Sequence, residues 1–263
     1  LLNQIAAIHG TGVAPAPTAP VAGYRAWYDA SDTATITVSG TAVTQWNDKS
    51  ANGYNLTQST AAYRPLSGTR TLNSLNVIDF DGSNDCLTNA TASNWTFLNN
   101  STGSSIFIVL YSDATATTGF VMSTDQGDSS LIGMDFIRNG ADDTVRVFVR
   151  NANSGDGAVG STNQGVLTDN TAVYYTLLLT PNNGTTADRA ISRINGGSEI
   201  KNNTFTLAPS SSNPAQGIVL GDYVQGGGLG FNGTIAEIIF YPSALNATDR
   251  ASNETYLKNK WGL

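Results

Sequence analysis

The stretch Gly233–Tyr241, GTIAEIIFY, decides the fold. Ile235, Ile238, Ile239, Phe240 and Tyr241 form a run that is apolar apart from Glu237. Its length and branched residues suit a strand buried on both faces better than a helix. The run before it, GGGLGFNG (Gly226–Gly233), is too rich in glycine for regular structure. It predicts a bulge or a close approach of backbone to backbone. After the strand, Pro242 ends the pairing, and Asn246 caps a short helix from Ala247 to about Lys260. Asp249, at the third helical position, stands in for the acid of a capping box.

Upstream, hydrophobic runs alternate with turn clusters. Ala26-Trp27-Tyr28 reads as a strand, and Ile36, Val38 and Val43 flank a hairpin turn at Gly40. Leu75–Phe80 is a strand closed by Asp81-Gly82. Ser105–Tyr111, Gly119–Thr124, Leu131–Arg138, Thr144–Arg150, Val173–Thr180, Ala187–Ile194, Glu199–Leu207 and Gly217–Leu220 continue the series, with Lys49–Leu56 and Tyr63-Arg64-Pro65 as loops. Strands at this spacing describe two packed antiparallel sheets.

Residues 1–23 differ in character. Leu1, Leu2, Ile5 and Ile8 form a small apolar cluster, and TGVAPAPTAPVAG then alternates Ala and Pro and should be extended. The expectation is an arm at 1–23 that docks on a neighbouring subunit through Leu1, Leu2, Ile5 and Ile8, followed by a sandwich at 24–263.

Three blocks carry a resemblance. They are the G-x-I-x-E-I-I-x-Y strand with a tail closing on Y-L-x-x-K-W-G, the opening AWYDASDTATITVSGTAVTQWNDKSANGYNLTQ (Ala26–Gln58), and NVIDFDGSNDCL (Asn76–Leu87). They resemble the laminin-G-like, concanavalin A-like lectin/glucanase modules found in bacteriophage virion proteins and bacterial surface proteins. The resemblance implies an all-β jelly-roll sandwich with a short C-terminal helix. It also implies a non-enzymatic virion surface module, a head decoration or fibre protein, held to neighbouring virion subunits by the arm and able to display a glycan-binding face. The alternative is a carbohydrate-binding module of a secreted bacterial protein, extracellular or on the cell surface. A glycoside hydrolase is the third reading.

Composition and site chemistry bound these readings. Charged residues are 13% of the chain and the net charge is −7. Without a Lys/Arg cluster, nucleic acid is not an expected partner. No apolar segment reaches the length of a membrane span. Hydrolysis of a glycosidic bond needs two carboxylates across the scissile bond. The glucanase pattern E-x-D-x-x-E is missing, since Glu237 stands alone in its strand and Asp135 alone in GMDFIR. Glu237 is therefore expected to be a carboxylate tied to backbone or to an arginine at the sheet rim. The single histidine, His9, and the single cysteine, Cys86, cannot build a triad or a four-ligand zinc site. Hard oxygen ligands for Ca²⁺ are offered by Asp79, Asp81, Asn84 and Asp85, residue types that turns also favour. Asp222, Tyr223 and Phe231 beside the glycine run supply a candidate glycan platform. Trp27, Trp46, Trp95 and Trp261 are assigned to packing.

Overall fold

The computed structural model describes residues 18–100, 102–128, 131–151, 158–161, 164–201 and 210–263. The docking cluster Leu1, Leu2, Ile5 and Ile8, together with His9, lies outside the described residues. The end of the Ala/Pro stretch is tied down. Val21 N donates to Asn253 Oδ1 at 2.8 Å, and Val21 O accepts from the Tyr241 hydroxyl at 2.6 Å.

The described strands are β1 (Ala26–Asp29), β2 (Ile36–Ser39), β3 (Ala42–Trp46), β4 (Leu56–Thr57), β5 (Leu66–Leu72), β6 (Leu75–Asp81), β7 (Leu87–Asn89) and β8 (Ser104–Ser112). They continue as β9 (Gly119–Ser123), β10 (Ile132–Arg138), β11 (Val145–Asn151), β12 (Ala158–Ser161), β13 (Thr171–Leu179), β14 (Ala190–Ile194), β15 (Ile218–Leu220) and β16 (Asn232–Tyr241). One helix, α1 (Ala247–Trp261), follows. The strand order is β12-β11-β10-β9-β15-β7-β4-β3-β5-β6-β16-β8-β13-β14, with β2 added on β3 and β1 on β16. All named pairs are antiparallel. A single pair, Ala42 with Leu66, joins β3 to β5. There the sheet curls over, so that β12 to β3 form a front layer and β5 to β14 a back layer. The fold is the expected all-β sandwich of jelly-roll type with a short C-terminal helix.

The core between the layers takes Val43, Leu87, Met122, Phe136 and Val147 from the front and Ile78, Ile106, Ile108, Leu177 and Phe240 from the back. Trp95 meets Phe240 edge-on at 5.4 Å, a favoured aromatic geometry. A second cluster lies outside the back layer, where Tyr256, Leu257 and Trp261 of α1 cover Phe107, Val109, Ala236, Ile239 and Tyr241. β16 is thus buried on both faces. A bulge against β8 between Ile235 and Glu237 breaks the two-residue period and lets Ile235 and Ile238 share the inner face.

The glycine run makes the expected close approaches. A Cβ on Gly233, at φ +146°, would sit 2.1 Å from the Tyr111 carbonyl oxygen, and one on Gly230 about 2.9 Å from the Ser83 backbone. The helix cap is also as expected. Asn246 Oδ1 accepts from Thr248 N and Asp249 N, and the Asn246 amide donates to Asp249 Oδ2.

β4, β5, β7 and β12 are not signalled by the sequence, and Leu56, expected in a loop, opens β4. Of the expected strand Glu199–Leu207, residues 202–209 lie outside the described residues. Ile200 makes an isolated bridge to Ser192.

Candidate functional site

One register line crosses the outer face of the front layer. Thr37 pairs with Gln45, Gln45 with Thr57, Thr57 with Thr88, Thr88 with Val219, Val219 with Ser123, Ser123 with Asp135 and Asp135 with Phe148. Cα partners across antiparallel strands share a face, so these side chains form one row opposite the core. Its first four members are exposed or half-exposed, uncharged and polar. Val219, Ser123 and Asp135 are covered, the last two fully, and Phe148 is half-exposed.

A cleft of about 320 Å³ opens where the row becomes covered. It is lined by Thr88, Asn89, Ala90, the segment Ala215–Val219, and Gln225. Gln216 Nε2 donates to Tyr223 O at 2.6 Å, and Gln225 Nε2 to Gln58 Oε1 at 2.9 Å. The Thr88 hydroxyl donates to Thr57 O at 3.2 Å. Both ends of the Asn89 amide are engaged, by Asn55 O on one side and by Asn94 and Trp95 Nε1 on the other.

The glycine loop begins directly after Gln225, the last lining residue. A Cβ on Gly226, at φ +71°, would lie 2.5 Å from the Tyr63 ring, and one on Gly227 2.4 Å from the Tyr223 ring. Two tyrosine rings therefore clamp a turn that only glycine fits. Asp222 is fully buried and holds the loop from inside. Its carboxylate accepts from Tyr223 N, Gly228 N and Leu229 N. Burial pushes its carboxyl above the usual range, against the pull of those amides.

The expected platform of Asp222, Tyr223 and Phe231 is corrected accordingly. Phe231 is fully buried in the inter-layer core and cannot touch a ligand. Asp222 is an internal loop brace. Tyr223 is half-buried, packs on Phe120 at 5.4 Å and donates its hydroxyl to Gly227 O. It borders the cleft through its backbone, by way of Gln216.

Three of the four residues offered for Ca²⁺, Asp79, Asp81 and Asp85, have other engagements. Asp79 pairs with Arg70 at 3.0 Å, and Arg70 also grips Asp113 with both terminal nitrogens. Asp81 Oδ1 accepts from Ser83 N and Asn84 N, closing a turn, and Asp85 Oδ2 accepts from Asp81 N. Burial first, then the neighbouring Asp81, raises the Asp85 carboxyl to about 6. Among the described residues no group of three or more acidic, His or Cys side chains is placed to hold a metal.

Glu237 is buried and paired, but with side chains of β1 and α1 rather than with backbone or an arginine. Oε1 accepts from Trp27 Nε1 and the Tyr256 hydroxyl, and Oε2 from Lys260 and Trp261 Nε1, all at 2.7–2.8 Å. Lys260 continues to Asp29 at 2.6 Å, and Asp29 to Lys49 at 3.1 Å. Asp135, by contrast, is not alone. It and Asp125, both fully buried, share Arg150 Nη1 at 3.0 and 2.9 Å. The Asp135 contact has ion-pair distance without hydrogen-bond alignment, so neither of its oxygens has a hydrogen bond. Burial first, then Asp125, holds its carboxyl well above the usual range. No single-sequence signal linked Asp125 to Asp135 or gathered Thr88, Gln216 and Gln225, because these residues meet only through the pairing of β7, β15, β9 and β10.

No sequence-family profile matches the chain, and no curated protein sequence matches it. Solved structures share the fold. The sialidase of Trypanosoma rangeli in complex with sialic acid aligns at TM-score 0.60 and 13% identity, over 92% of this chain and 34% of that one. The chain thus spans about a third of the sialidase. Domain 4 of AbnA, a GH43 extracellular arabinanase from Geobacillus stearothermophilus, in complex with arabinotriose, aligns at 0.57 and 13% identity, over 89% of this chain and 98% of that domain. These likenesses correct the virion expectation. The fold is shared with parts of glycan-acting proteins, and nothing in it supports a head decoration or fibre role. What the comparisons establish for this chain is a lectin-like β-sandwich.

Proposed function

We propose that the chain is a non-catalytic carbohydrate-binding module, of the laminin-G/concanavalin A-like type, belonging to an extracellular glycan-directed protein. The observation that carries this reading is the row Thr37, Gln45, Thr57, Thr88, which runs uncharged and solvent-accessible into the cleft beside Gln216 and Gln225. Hydroxyls and amides fixed on a rigid sheet match the alternating donors and acceptors of a saccharide. Support also comes from the arabinanase domain, whose whole length matches this sandwich and which is described with arabinotriose bound. A binding role rather than hydrolysis agrees with the placement of the acids. Among the described residues none lines the cleft, Glu237 accepts four hydrogen bonds, and Asp125 and Asp135 are sealed from solvent.

A glycan array followed by isothermal titration tests the reading. The expected result is micromolar-to-millimolar binding of a saccharide with no release of reducing ends. A blank array would overturn it, and hydrolysis of any bound glycan would replace it with an enzymatic reading.

A further inference from the structure

We propose that the cleft selects uncharged saccharides and excludes acidic ones. This rests on the carbohydrate-binding reading and narrows it.

The orientation of each lining amide is fixed by its partners. Gln216 donates to the Tyr223 carbonyl, which can only accept, so the amide nitrogen must face it. Gln58 is fixed in the same way, because its nitrogen donates to Cys86 O while its oxygen accepts from Thr60 N. Gln225 therefore turns its nitrogen, not its oxygen, to Gln58 Oε1. The Thr88 hydroxyl proton goes to Thr57 O. In all three residues a donor is engaged inside the protein. Among the described residues nothing donates to Gln216 Oε1 or Gln225 Oε1, and each amide nitrogen keeps a second N–H.

The cleft consequently presents amide oxygens and the remaining amide N–H groups without a cation, since none of the described lining side chains is charged. A sugar hydroxyl can donate to such oxygens and accept in turn. An ionised carboxylate, sulfate or phosphate only accepts. It would lose its hydration with no cation on the described lining to offset its charge. The net charge of −7 adds long-range repulsion of anions.

The test is titration of the folded chain with two panels. The neutral panel holds arabino-, xylo-, manno- and gluco-oligosaccharides, and the acidic panel holds sialyllactose and oligogalacturonate. The expected result is binding from the neutral panel only, with acidic probes at least tenfold weaker. Thr88→Val and Gln225→Ala should each weaken the neutral ligand roughly 2- to 13-fold, the range of one hydrogen bond. Circular dichroism and melting confirm that the variants fold. Equal or tighter binding of an acidic probe, weakened by the same variants, would overturn the selectivity and leave carbohydrate binding standing. Neutral binding untouched by both variants would move the site off the cleft. Silence in both panels would overturn the carbohydrate reading itself.

Discussion

Asp135 has the least favourable surroundings of any carboxylate described above, with both oxygens buried and neither hydrogen-bonded. Its folded pKa lies above the unfolded value. Its contribution to stability is therefore whole below the unfolded value, about 3.9, and is lost as pH rises through the folded pKa. Asp135→Asn mimics the protonated form and can donate to Asp125. The variant should be more stable than the parent at pH 8 by roughly 1–3 kcal/mol, the cost of a buried polar group lacking hydrogen bonds. The gap should close toward pH 4. Urea unfolding at several pH values measures it, and a gap independent of pH would show that Asp135 does not titrate in this window. Arg150→Met should act in the opposite sense. It strands two buried acids and should cost about 3–5 kcal/mol at neutral pH. At this scale the sequence was legible for Glu237, whose lone charge in an apolar strand required partners. It was not legible for Asp135 and Asp125, whose proximity depends on the β9–β10 register. Phe231 misled because a glycine-rich neighbourhood suggests a surface loop, whereas its ring turns inward.

The helix and its strand are joined through that same glutamate. Trp27 from β1, Glu237 from β16 and Tyr256, Lys260 and Trp261 from α1 form one network, so the helix docks by hydrogen bonds as well as by apolar contact. Glu237→Ala leaves two indole N–H groups and a phenol without their acceptor, and Lys260 with Asp29 as its remaining carboxylate. The expected loss is about 3–5 kcal/mol, with a tryptophan emission shift as α1 loosens. An unchanged spectrum with unchanged stability would refute this role. The cap is a milder lever on the same element. Asn246→Ala should cost about 0.5–2 kcal/mol in a melting comparison, with the fold retained. Long apolar strands, the helix and its cap were readable because periodicity and capping are local. β5, LSGTRTL, was not, since it carries a glycine and an arginine and is stabilised by pairing with β6 rather than by its own pattern. β4 and β7 are two and three residues long, too short for any period to show.

For the molecule as a whole, two layers and a docked helix make a rigid frame, and the cleft lies on its front face rather than in a mobile joint. The lining side chains are already oriented by protein partners, so binding should require little ordering. A ligand that binds only the folded chain raises stability by mass action, about 2.7 kcal/mol at a hundredfold excess over Kd. In a domain of this size that is a rise of roughly 5–11 °C in Tm. Because the lining carries no charge, the contact should not rest on ion pairs that salt screens. Thermal shift with the best neutral oligosaccharide should therefore agree in 50 mM and 500 mM salt. A shift that collapses at high salt would mean that the ligand is held by charged groups elsewhere on the surface. The same apparatus addresses calcium. Asp79, Asp81 and Asp85 already serve an arginine and two turns, so melting in chelator and in millimolar Ca²⁺ should coincide, with and without glycan. A calcium-dependent rise in Tm that Asp81→Asn abolishes would restore a cation to that turn and show that the loop rearranges to bind it.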